Sequence, residues 1–292
     1  MKQRCWVYAL VALLWFSFWL TGCRSGTKPT LTEPSIASKQ ETQIENNAQP
    51  DQKELIQLLQ AKYKDVQPQQ WGETVSGVAF GLSTEEKVLA LTFDACGGSA
   101  KSSGFDEPLI KYLEQMQVPA TLFISGMWID SNPVIFQQLA HINLFEIENH
   151  GLNHLPCSIS GKSAYNIKGT GSVAEVVKEV DGNGQKIEVI TGHKPRFYRS
   201  GTNYYDELAV AIAGNLGYQA VGYGVLGDAG ATFNRDQVKK ALLGARAGSI
   251  VIFHFNHPEG DTCEGIMEAI PILKDKGFRF VRLSEFPVKV YP

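Results

Sequence analysis

Two histidines placed four residues apart, His150 and His154, are the side chains of this sequence best suited to chemistry. Just before them, residues 145–148 alternate apolar and acidic side chains, which is typical of a half-buried strand, and turn-forming residues then surround Gly151. His150 is therefore predicted to lie where a strand passes into a loop. Two neutral imidazoles on one short loop could share a divalent metal, with zinc the first choice, and leave positions open for water and substrate. The spacing alone is weak support, because surface histidines adopt it too.

Short apolar segments that alternate with helical patterns make up the second part of the chain. The segments predicted as strands are residues 87–93, 120–124, 145–147, 196–199, 219–223, 249–253 and 278–281. The segments predicted as helices between them are residues 107–117, 172–191, 206–216, 236–245 and 263–276. This alternation indicates an α/β fold with a parallel sheet covered by helices, either doubly wound or closed as a barrel. About seven parallel strands in a single domain favour closure as a (β/α) barrel.

Polar side chains follow several of these strands directly. In parallel α/β folds the chemistry lies on the loops at the carboxyl ends of the strands. In chain order, the residues found there are Asp94, His150 with His154, Arg199, Asp228, and His254 with His257. Carboxylates, imidazoles and a guanidinium gathered at one edge of a sheet indicate an active site rather than a set of unrelated surface residues.

The N-terminus has the features of an export signal. Lys2 and Arg4 precede an apolar run over residues 6–20, which is too short to span a membrane comfortably. The run ends in Leu20-Thr-Gly-Cys23, which resembles a bacterial lipobox, although an ordinary signal peptide or an uncleaved anchor that ends in cysteine would look similar. We expect the protein to be exported and held at a bacterial membrane of the cell envelope by lipid on Cys23.

Composition divides the chain into four parts. We predict a lipoprotein signal peptide over residues 1–22 and a flexible tether over residues 23–50, which contain scarcely an apolar residue. A short amphipathic helix and a lead-in follow over residues 51–85, and the catalytic domain occupies residues 86–292.

Net charge and cysteine content restrict the partners and cross-links that are possible. The formal net charge of −3 gives no general basicity, so nucleic acid is not expected as a partner. Outside the N-terminal Cys5 and Cys23, the chain has three cysteines, Cys96, Cys157 and Cys263. An odd number in an exported protein allows at most one disulfide among them.

Four segments, taken in order, resemble the motifs of one enzyme family. They are Thr92-Phe-Asp-Ala-Cys-Gly-Gly98, His150-Gly-Leu-Asn-His154, Arg199-Ser-Gly-Thr202 and Ile252-Phe-His254. Over about residues 75–290 the sequence resembles the polysaccharide deacetylases of carbohydrate esterase family 4, which share the NodB-homology domain. The resemblance implies a distorted (β/α) barrel and metal-dependent hydrolysis of acetyl groups from N-acetylated or O-acetylated polysaccharide.

The resemblance also implies roles for the residues of the first two motifs and for Arg199. His150 and His154 would be metal ligands, and Asp94 would be either the general base or a further ligand. Arg199 would lie beside this carboxylate and keep it ionised.

The later motifs would supply the general acid and the substrate contacts. His254 would be the general acid, and Asp228 would be the carboxylate that orients it and keeps it protonated. The backbone N–H groups that could bind the oxyanion are those of Ser200, Gly201 and Thr202, although this segment lacks the family's usual proline and tyrosine. His257 could line the substrate cleft or cap a turn.

One position departs from the family pattern. The family's first motif normally has two consecutive aspartates, the second a metal ligand, but here Asp94 is followed by Ala95. Two imidazoles alone hold zinc poorly, because a catalytic ion usually has three protein ligands. Either Asp94 moves into the metal site, or a neighbour such as Cys96 completes it, or activity is lost.

Three functions are therefore open from the sequence. We favour a working, envelope-anchored deacetylase, because a decayed site would be expected to lose several of the remaining functional residues. The alternative is a non-catalytic, glycan-binding pseudoenzyme of the same fold. The third is an acyl hydrolase with Cys96 or Cys157 as its nucleophile, which requires a thiolate paired with a histidine.

Overall fold

The computed structural model describes residues 52–292, and these form one compact unit. The predicted signal peptide, the lipid on Cys23 and the tether over residues 23–50 lie outside the described residues. Within the described part of the chain, no helix combines the length and the apolar character needed to cross a membrane.

The described residues form twelve strands and eight α-helices. The strands are β1 (Ala79–Leu82), β2 (Val88–Ala95), β3 (Ala120–Ile124), β4 (Phe145–Asn149), β5 (Ser163–Ala164), β6 (Ile167–Lys168), β7 (Phe197–Tyr198), β8 (Gln219–Ala220), β9 (Val225–Leu226), β10 (Ser249–His254), β11 (Arg279–Val281) and β12 (Val288–Val290). The helices are α1 (Gln52–Tyr63), α2 (Glu107–Gln115), α3 (Gly126–Ser131), α4 (Pro133–Ala140), α5 (Val173–Thr191), α6 (Glu207–Asn215), α7 (Arg235–Leu243) and α8 (Thr262–Asp275).

Ten of these strands form one curled sheet. Its order is β12-β1-β10-β2-β3-β4-β7-β8, with β9 also paired to β10 and β11 also paired to β2. The strand pairs are parallel except for those of β1, which runs antiparallel to both β10 and β12. A bridge between Ala79 and Val221 connects β1 to the chain just after β8. The predicted α/β fold class, a distorted (β/α) barrel in a single domain, is confirmed.

All seven predicted strands are present, as β2, β3, β4, β7, β8, β10 and β11. The predicted helices are also present, as α1, α2 and α5 to α8, with ends shifted by a few residues. The sequence pattern misses β1, β5, β6, β9 and β12, which are two to four residues long. It also misses α3 and α4, two short helices that follow one another around Asn132.

Strand β2 fixes the position of the site relative to the core, and all of its residues are buried. Every second residue from Leu89 to Ala95 packs in the hydrophobic cluster that also contains residues of α2, α7 and α8. Val88 and Ala90 pack in a second cluster, inside the barrel. Because side chains alternate across a strand, Asp94 lies on the interior side of the sheet, at the carboxyl end of β2.

The strand register gathers the predicted site residues at one edge of the sheet. Asp94 of β2 is the register partner of His254 of β10. Strands β4 and β7 pair at the residues that immediately precede His150 and Arg199. The carboxyl ends of these four parallel strands therefore place a carboxylate, a guanidinium and two imidazoles side by side.

Candidate active site

A cavity of about 490 Å³ opens at this edge of the sheet. Its floor carries the side chains of Asp94, Cys96, His154 and His254. Its wall includes Glu73, Tyr165 and Tyr223. A concave site of this size, with a few convergent polar groups, is the usual setting for a bound small molecule or for part of a polymer chain.

Arg199 holds the Asp94 carboxylate from inside the barrel. The guanidinium is fully buried and donates from Nη1 to Asp94 Oδ1 at 2.6 Å. Nη2 donates to Thr92 Oγ1 at 3.0 Å and to the carbonyl of Gly222 at 2.7 Å, while the guanidinium carbon lies 4.2 Å from the ring centre of Phe123. These contacts fix the guanidinium in one orientation, beside the carboxylate that the resemblance implies as its partner.

The charges around Asp94 keep it ionised. Burial by itself would raise the pKa of this carboxyl, but the positive charge of Arg199, with smaller contributions from His150 and His254, brings it below its ordinary value. Because Arg199 occupies Oδ1, the other oxygen, Oδ2, is the one left to act on a substrate or a water molecule.

His150 presents an unprotonated nitrogen to the site. Its Nδ1 lies 3.0 Å from the carbonyl oxygen of Arg199, which can only accept, so Nδ1 carries the proton. Among the described residues its Nε2 is buried without a hydrogen-bond partner, and it lies 3.6 Å from Asp94 Oδ2, too far for a hydrogen bond. Burial is the main reason why the pKa values of His150 and His154 are lowered, that of His154 strongly. Both rings are therefore neutral at neutral pH, as metal ligands must be.

The loop that carries His154 is held by helix α5. The buried carboxylate of Glu179 accepts hydrogen bonds from the backbone N–H of Asn153 at 2.9 Å and of Leu155 at 3.1 Å. His154 itself adopts a left-handed conformation with φ of 56°. Its backbone packs so closely on Gly201 that a Cβ atom at that glycine would overlap it. Sequence reasoning missed Glu179, although an acidic residue among the valines of a buried helix face is a signal of such a role.

Cys96 lies beside the two histidines. The sulfur of Cys96 and one ring nitrogen each of His150 and His154 lie within 4.8 Å of one another. The cysteine is held by its backbone, because Ser125 Oγ donates to its carbonyl and Gly97, at φ of 76°, packs directly on the backbone of Trp128. One thiol and two imidazoles form a set of donors that suits zinc, and the unpartnered Nε2 of His150 is a second sign that these residues fit a metal ion.

The surroundings of the two candidate cysteine nucleophiles disfavour a thiolate. Burial, followed by the charges of Asp94 and Asp228, raises the pKa of the Cys96 thiol well above its ordinary value. Burial likewise raises the pKa of Cys157, which lies in a hydrophobic cluster. Without a metal ion both thiols stay protonated. Nucleophilic catalysis would require a thiolate. Cys263 is also a free thiol, so no disulfide joins any two of the three cysteines in the described part of the chain.

Asp228 and His254 form the second charged pair of the site. Asp228 is completely buried and accepts from His254 Nδ1 at 2.9 Å and from the backbone N–H of His254 at 2.6 Å. Thr262 Oγ1 donates to the same carboxylate at 3.0 Å, a contact that sequence reasoning missed. Burial lowers the pKa of His254, but the Asp228 carboxylate outweighs it and the pKa is raised overall. The structure thus gives the pair the contacts that the resemblance implies.

Of the three residues predicted to bind the oxyanion, only Thr202 remains a candidate. The backbone N–H of Ser200 donates to the hydroxyl of Tyr205 at 2.9 Å, and that of Gly201 donates to the carbonyl of Leu155 at 3.3 Å. These two amides are therefore not available to a substrate, and the prediction is corrected for them. Thr202 lines the cavity, and its hydroxyl is buried without a hydrogen-bond partner among the described residues.

His257 and Ala95 both lie away from the cavity. His257 does not belong to the cavity lining, and its Nδ1 pairs with Glu259 at 3.0 Å, so its predicted substrate contact is corrected. Ala95 is completely buried in the cluster between the sheet and the helices. The residue that follows Asp94 on the cavity side is therefore Cys96.

Comparison with known proteins supports the resemblance that the four motifs suggest. Residues 81–221 match the family described as polysaccharide deacetylase. Residues 81–221 thus have the sequence pattern of the polysaccharide deacetylase family.

Individual relatives agree with this assignment. The peptidoglycan-N-acetylglucosamine deacetylase of Bacillus cereus is 25% identical over 217 residues, which are 73% of this chain and 94% of the relative. The crystal structure of a peptidoglycan N-acetylglucosamine deacetylase with a bound benzamide superposes with a TM-score of 0.61 at 22% identity, over 73% of this chain and 93% of that one. A pseudoenzyme of carbohydrate esterase family 4 from Bacillus anthracis superposes with a TM-score of 0.59 at 20% identity, over 71% of this chain and 67% of that one. The fold is therefore shared by proteins named as enzymes and by one named as a pseudoenzyme.

Proposed function

We propose that the protein is a metal-dependent deacetylase that hydrolyses acetyl groups from an N-acetylated, or O-acetylated, polysaccharide. The observation that carries this proposal is the pair of opposed charged groups in one cavity. Asp94, whose pKa is lowered, lies beside His254, whose pKa is raised. Amide hydrolysis near neutral pH needs an ionised base and a protonated acid together, and these two residues meet that need. The name of the Bacillus cereus relative supports an N-acetylated glycan as the substrate.

The first half of the reaction uses Asp94. His150 and His154 would hold a divalent ion, zinc by preference. Such an ion supplies Lewis-acid polarisation of the acetyl carbonyl and makes a nearby water more acidic. Asp94 accepts the proton of the attacking water on Oδ2, because Oδ1 is engaged by Arg199. The Thr202 hydroxyl, which has no partner of its own among the described residues, donates to the developing oxyanion.

The second half of the reaction uses His254. Its Nδ1–H points to Asp228, so Nε2–H is the proton that it gives to the leaving nitrogen or oxygen. The carbon–nitrogen or carbon–oxygen bond then breaks, and the products are acetate and a free amine or hydroxyl on the sugar. Asp228 stabilises the protonated ring before this transfer and holds it in one orientation after it.

The cavity wall supplies aromatic surface for a sugar ring. Tyr165 lies at the tip of the β5–β6 hairpin, and 68% of it is exposed. Its hydroxyl donates to Glu73 at 3.3 Å, and the hydroxyl of Tyr223 donates to the same carboxylate at 2.6 Å. Glu73 thus fixes both rings at the mouth of the cavity, where a polysaccharide would pass.

Tyr165→Ala should raise KM for an N-acetylated oligosaccharide by about 2- to 12-fold, the effect of losing one aromatic contact of about 0.5–1.5 kcal/mol. The kcat should change little, because Tyr165 does not touch the charged pairs. Tyr165→Phe keeps the ring and loses only the hydrogen bond to Glu73, so its KM should lie between that of the wild type and that of Tyr165→Ala. Steady-state kinetics on one oligosaccharide measure all three, and an unchanged KM for Tyr165→Ala would remove the hairpin from substrate binding.

The proposed activity itself is tested by acetate release from N-acetylated chitin fragments, peptidoglycan fragments and acetylated xylan. The wild-type protein should release acetate from at least one of them, and Asp94→Asn should be about 10²- to 10⁴-fold slower, as expected for loss of a general base. Wild-type protein that binds such glycans and releases no acetate would support the pseudoenzyme instead.

The rate of acetate release should also depend on pH, because the Arg199–Asp94 and Asp228–His254 pairs shift the pKa values of Asp94 and His254. The rate should rise with pH as Asp94 ionises, at a pH below the ordinary range of a carboxyl, and should fall as His254 loses its proton, above about 6.5. Asp228→Asn removes the charge that raises the pKa of His254, so the alkaline limb should move to lower pH. Profiles of kcat/KM against pH compare the two proteins, and an alkaline limb that stays in place would show that His254 is not the acid.

We also propose that the protein is exported and anchored by lipid on Cys23 at a bacterial membrane of the cell envelope. The support is the lipobox-like sequence Leu20-Thr-Gly-Cys23, together with a substrate class found in the envelope. Cys23→Ala should release the protein from washed membranes and leave its acetate release unchanged, because Cys23 lies far from the catalytic domain in sequence. A processed Cys23→Ala protein that still sediments with membranes would contradict lipid anchoring at this residue.

A further inference from the structure

Three side chains of the described residues converge as a group that could hold a metal, and one of them is a cysteine. Cys96 follows Asp94 on the cavity side of the sheet, since alternation along β2 turns Ala95 into the outer hydrophobic cluster. The Cys96 sulfur lies within 4.8 Å of a ring nitrogen of both His150 and His154.

The Asp94 carboxylate is engaged elsewhere. Its Oδ1 forms a buried ion pair with Arg199, and its Oδ2 comes to 3.6 Å from His150 Nε2. In the described part of the chain, the carboxylate is not a member of the group of mutually close ligand atoms, whereas the Cys96 sulfur is. The guanidinium of Arg199 already balances the charge of this carboxylate, so Asp94 has less negative charge to offer a metal cation.

We propose that Cys96 is the third protein ligand, so that the metal site is made of one thiolate and two imidazoles. This inference rests on the proposed metal-dependent function and assigns the ligand that Ala95 does not supply. Binding would convert the Cys96 thiol to a thiolate, which bonds to the ion, and release one proton to solvent. A thiolate with two imidazoles favours zinc, cobalt and cadmium over magnesium, calcium and manganese, which prefer oxygen ligands.

The test loads the purified full-length protein with Co²⁺ in place of the native ion and records its absorption spectrum. Thiolate ligation gives an intense sulfur-to-cobalt band in the near ultraviolet, and imidazole ligation alone does not. The band should be present in the wild type and in Cys263→Ser, and absent from Cys96→Ser. Cys96→Asp should bind one metal per chain without the band, because it replaces the thiolate with a carboxylate on the same side of the strand.

Zinc affinity gives a second readout that is independent of activity. Cys96→Ser should weaken zinc binding by at least about 100-fold, more than the 10- to 100-fold typical of groups that only support a ligand. If this variant does not fold, Cys96→Ala replaces it, with Cys263→Ala as its control. Cys96→Ala should show the same loss of zinc affinity, whereas Cys263→Ala should bind zinc as the wild type does, and equal affinities of the two variants would overturn the assignment of Cys96.

The outcomes separate the two proposals. One bound metal per chain without the sulfur-to-cobalt band, or a band that survives in Cys96→Ser, overturns the assignment of Cys96 and leaves the deacetylase proposal standing. A wild-type protein that binds neither cobalt nor zinc overturns the metal-dependent function as well.

Discussion

Replacing His150 with alanine is expected to remove bound metal and acetate release together. The ring nitrogen that faces the site has no hydrogen-bond partner among the described residues, and its loss would leave one imidazole and one sulfur to hold an ion. Acetate release should fall by more than about 100-fold, since even supporting groups of a metal site change activity 10- to 100-fold. His154→Ala should have the same effect. Metal per chain is measured by elemental analysis, and acetate by an enzymatic assay on the same samples.

His193→Ala is the matched control for these two variants, because it removes an exposed histidine that is not among the residues lining the cavity. It should bind one metal per chain and release acetate at the wild-type rate. The metal assignment is wrong if both His150→Ala and His154→Ala, folded by circular dichroism, keep the wild-type metal content.

Ala95→Asp is expected to destabilise the protein and to leave its activity no higher. The new carboxylate would lie in a cluster of apolar side chains that offers no cation, and an unpaired buried charge lowers the free energy of unfolding by about 3–5 kcal/mol. Although the family's usual metal ligand is an aspartate after Asp94, the strand here turns residue 95 away from the cavity. Denaturant unfolding measures the stability, and acetate release measures the activity.

Cys96→Asp is the matched control, because it introduces the same carboxylate one residue later, on the cavity side. It should lose less stability than Ala95→Asp and keep a bound metal. The opposite result would be an inert wild type and a stable Ala95→Asp protein that binds metal more tightly and releases acetate. It would mean that the natural site is a decayed one.

The barrel could be predicted from the sequence because its central strands are continuous apolar runs. β2, β3 and β10 are buried almost throughout, and such strands occur in parallel sheets covered on both faces. The missed strands are different, because a two-residue strand such as β9 exists only through its pairing with β10 and has no periodicity of its own. Only the folded chain shows that β1 runs antiparallel.

The site residues that end a strand could be predicted from the sequence. Those that belong to a helix or a hairpin could not. Asp94 and His254 could be placed at one edge of the sheet in advance, because both end parallel strands. Glu179 and Tyr165 come from a helix and a hairpin, and nothing local in the sequence places them near His154 or the cavity mouth. Whether Ala95 or Cys96 faces the cavity depends on where β2 ends. One residue more or less of strand reverses the direction in which the side chains point.

The most direct test of metal-dependent deacetylation is a titration of the metal-free protein with zinc, in which acetate release from an N-acetylated oligosaccharide and bound zinc are measured on the same samples. Activity should be absent without zinc, rise in proportion to bound zinc and stop rising at one zinc per chain. Full activity in the metal-free protein, or no acetate from a protein that holds one zinc and binds the glycan, would contradict metal-dependent deacetylation.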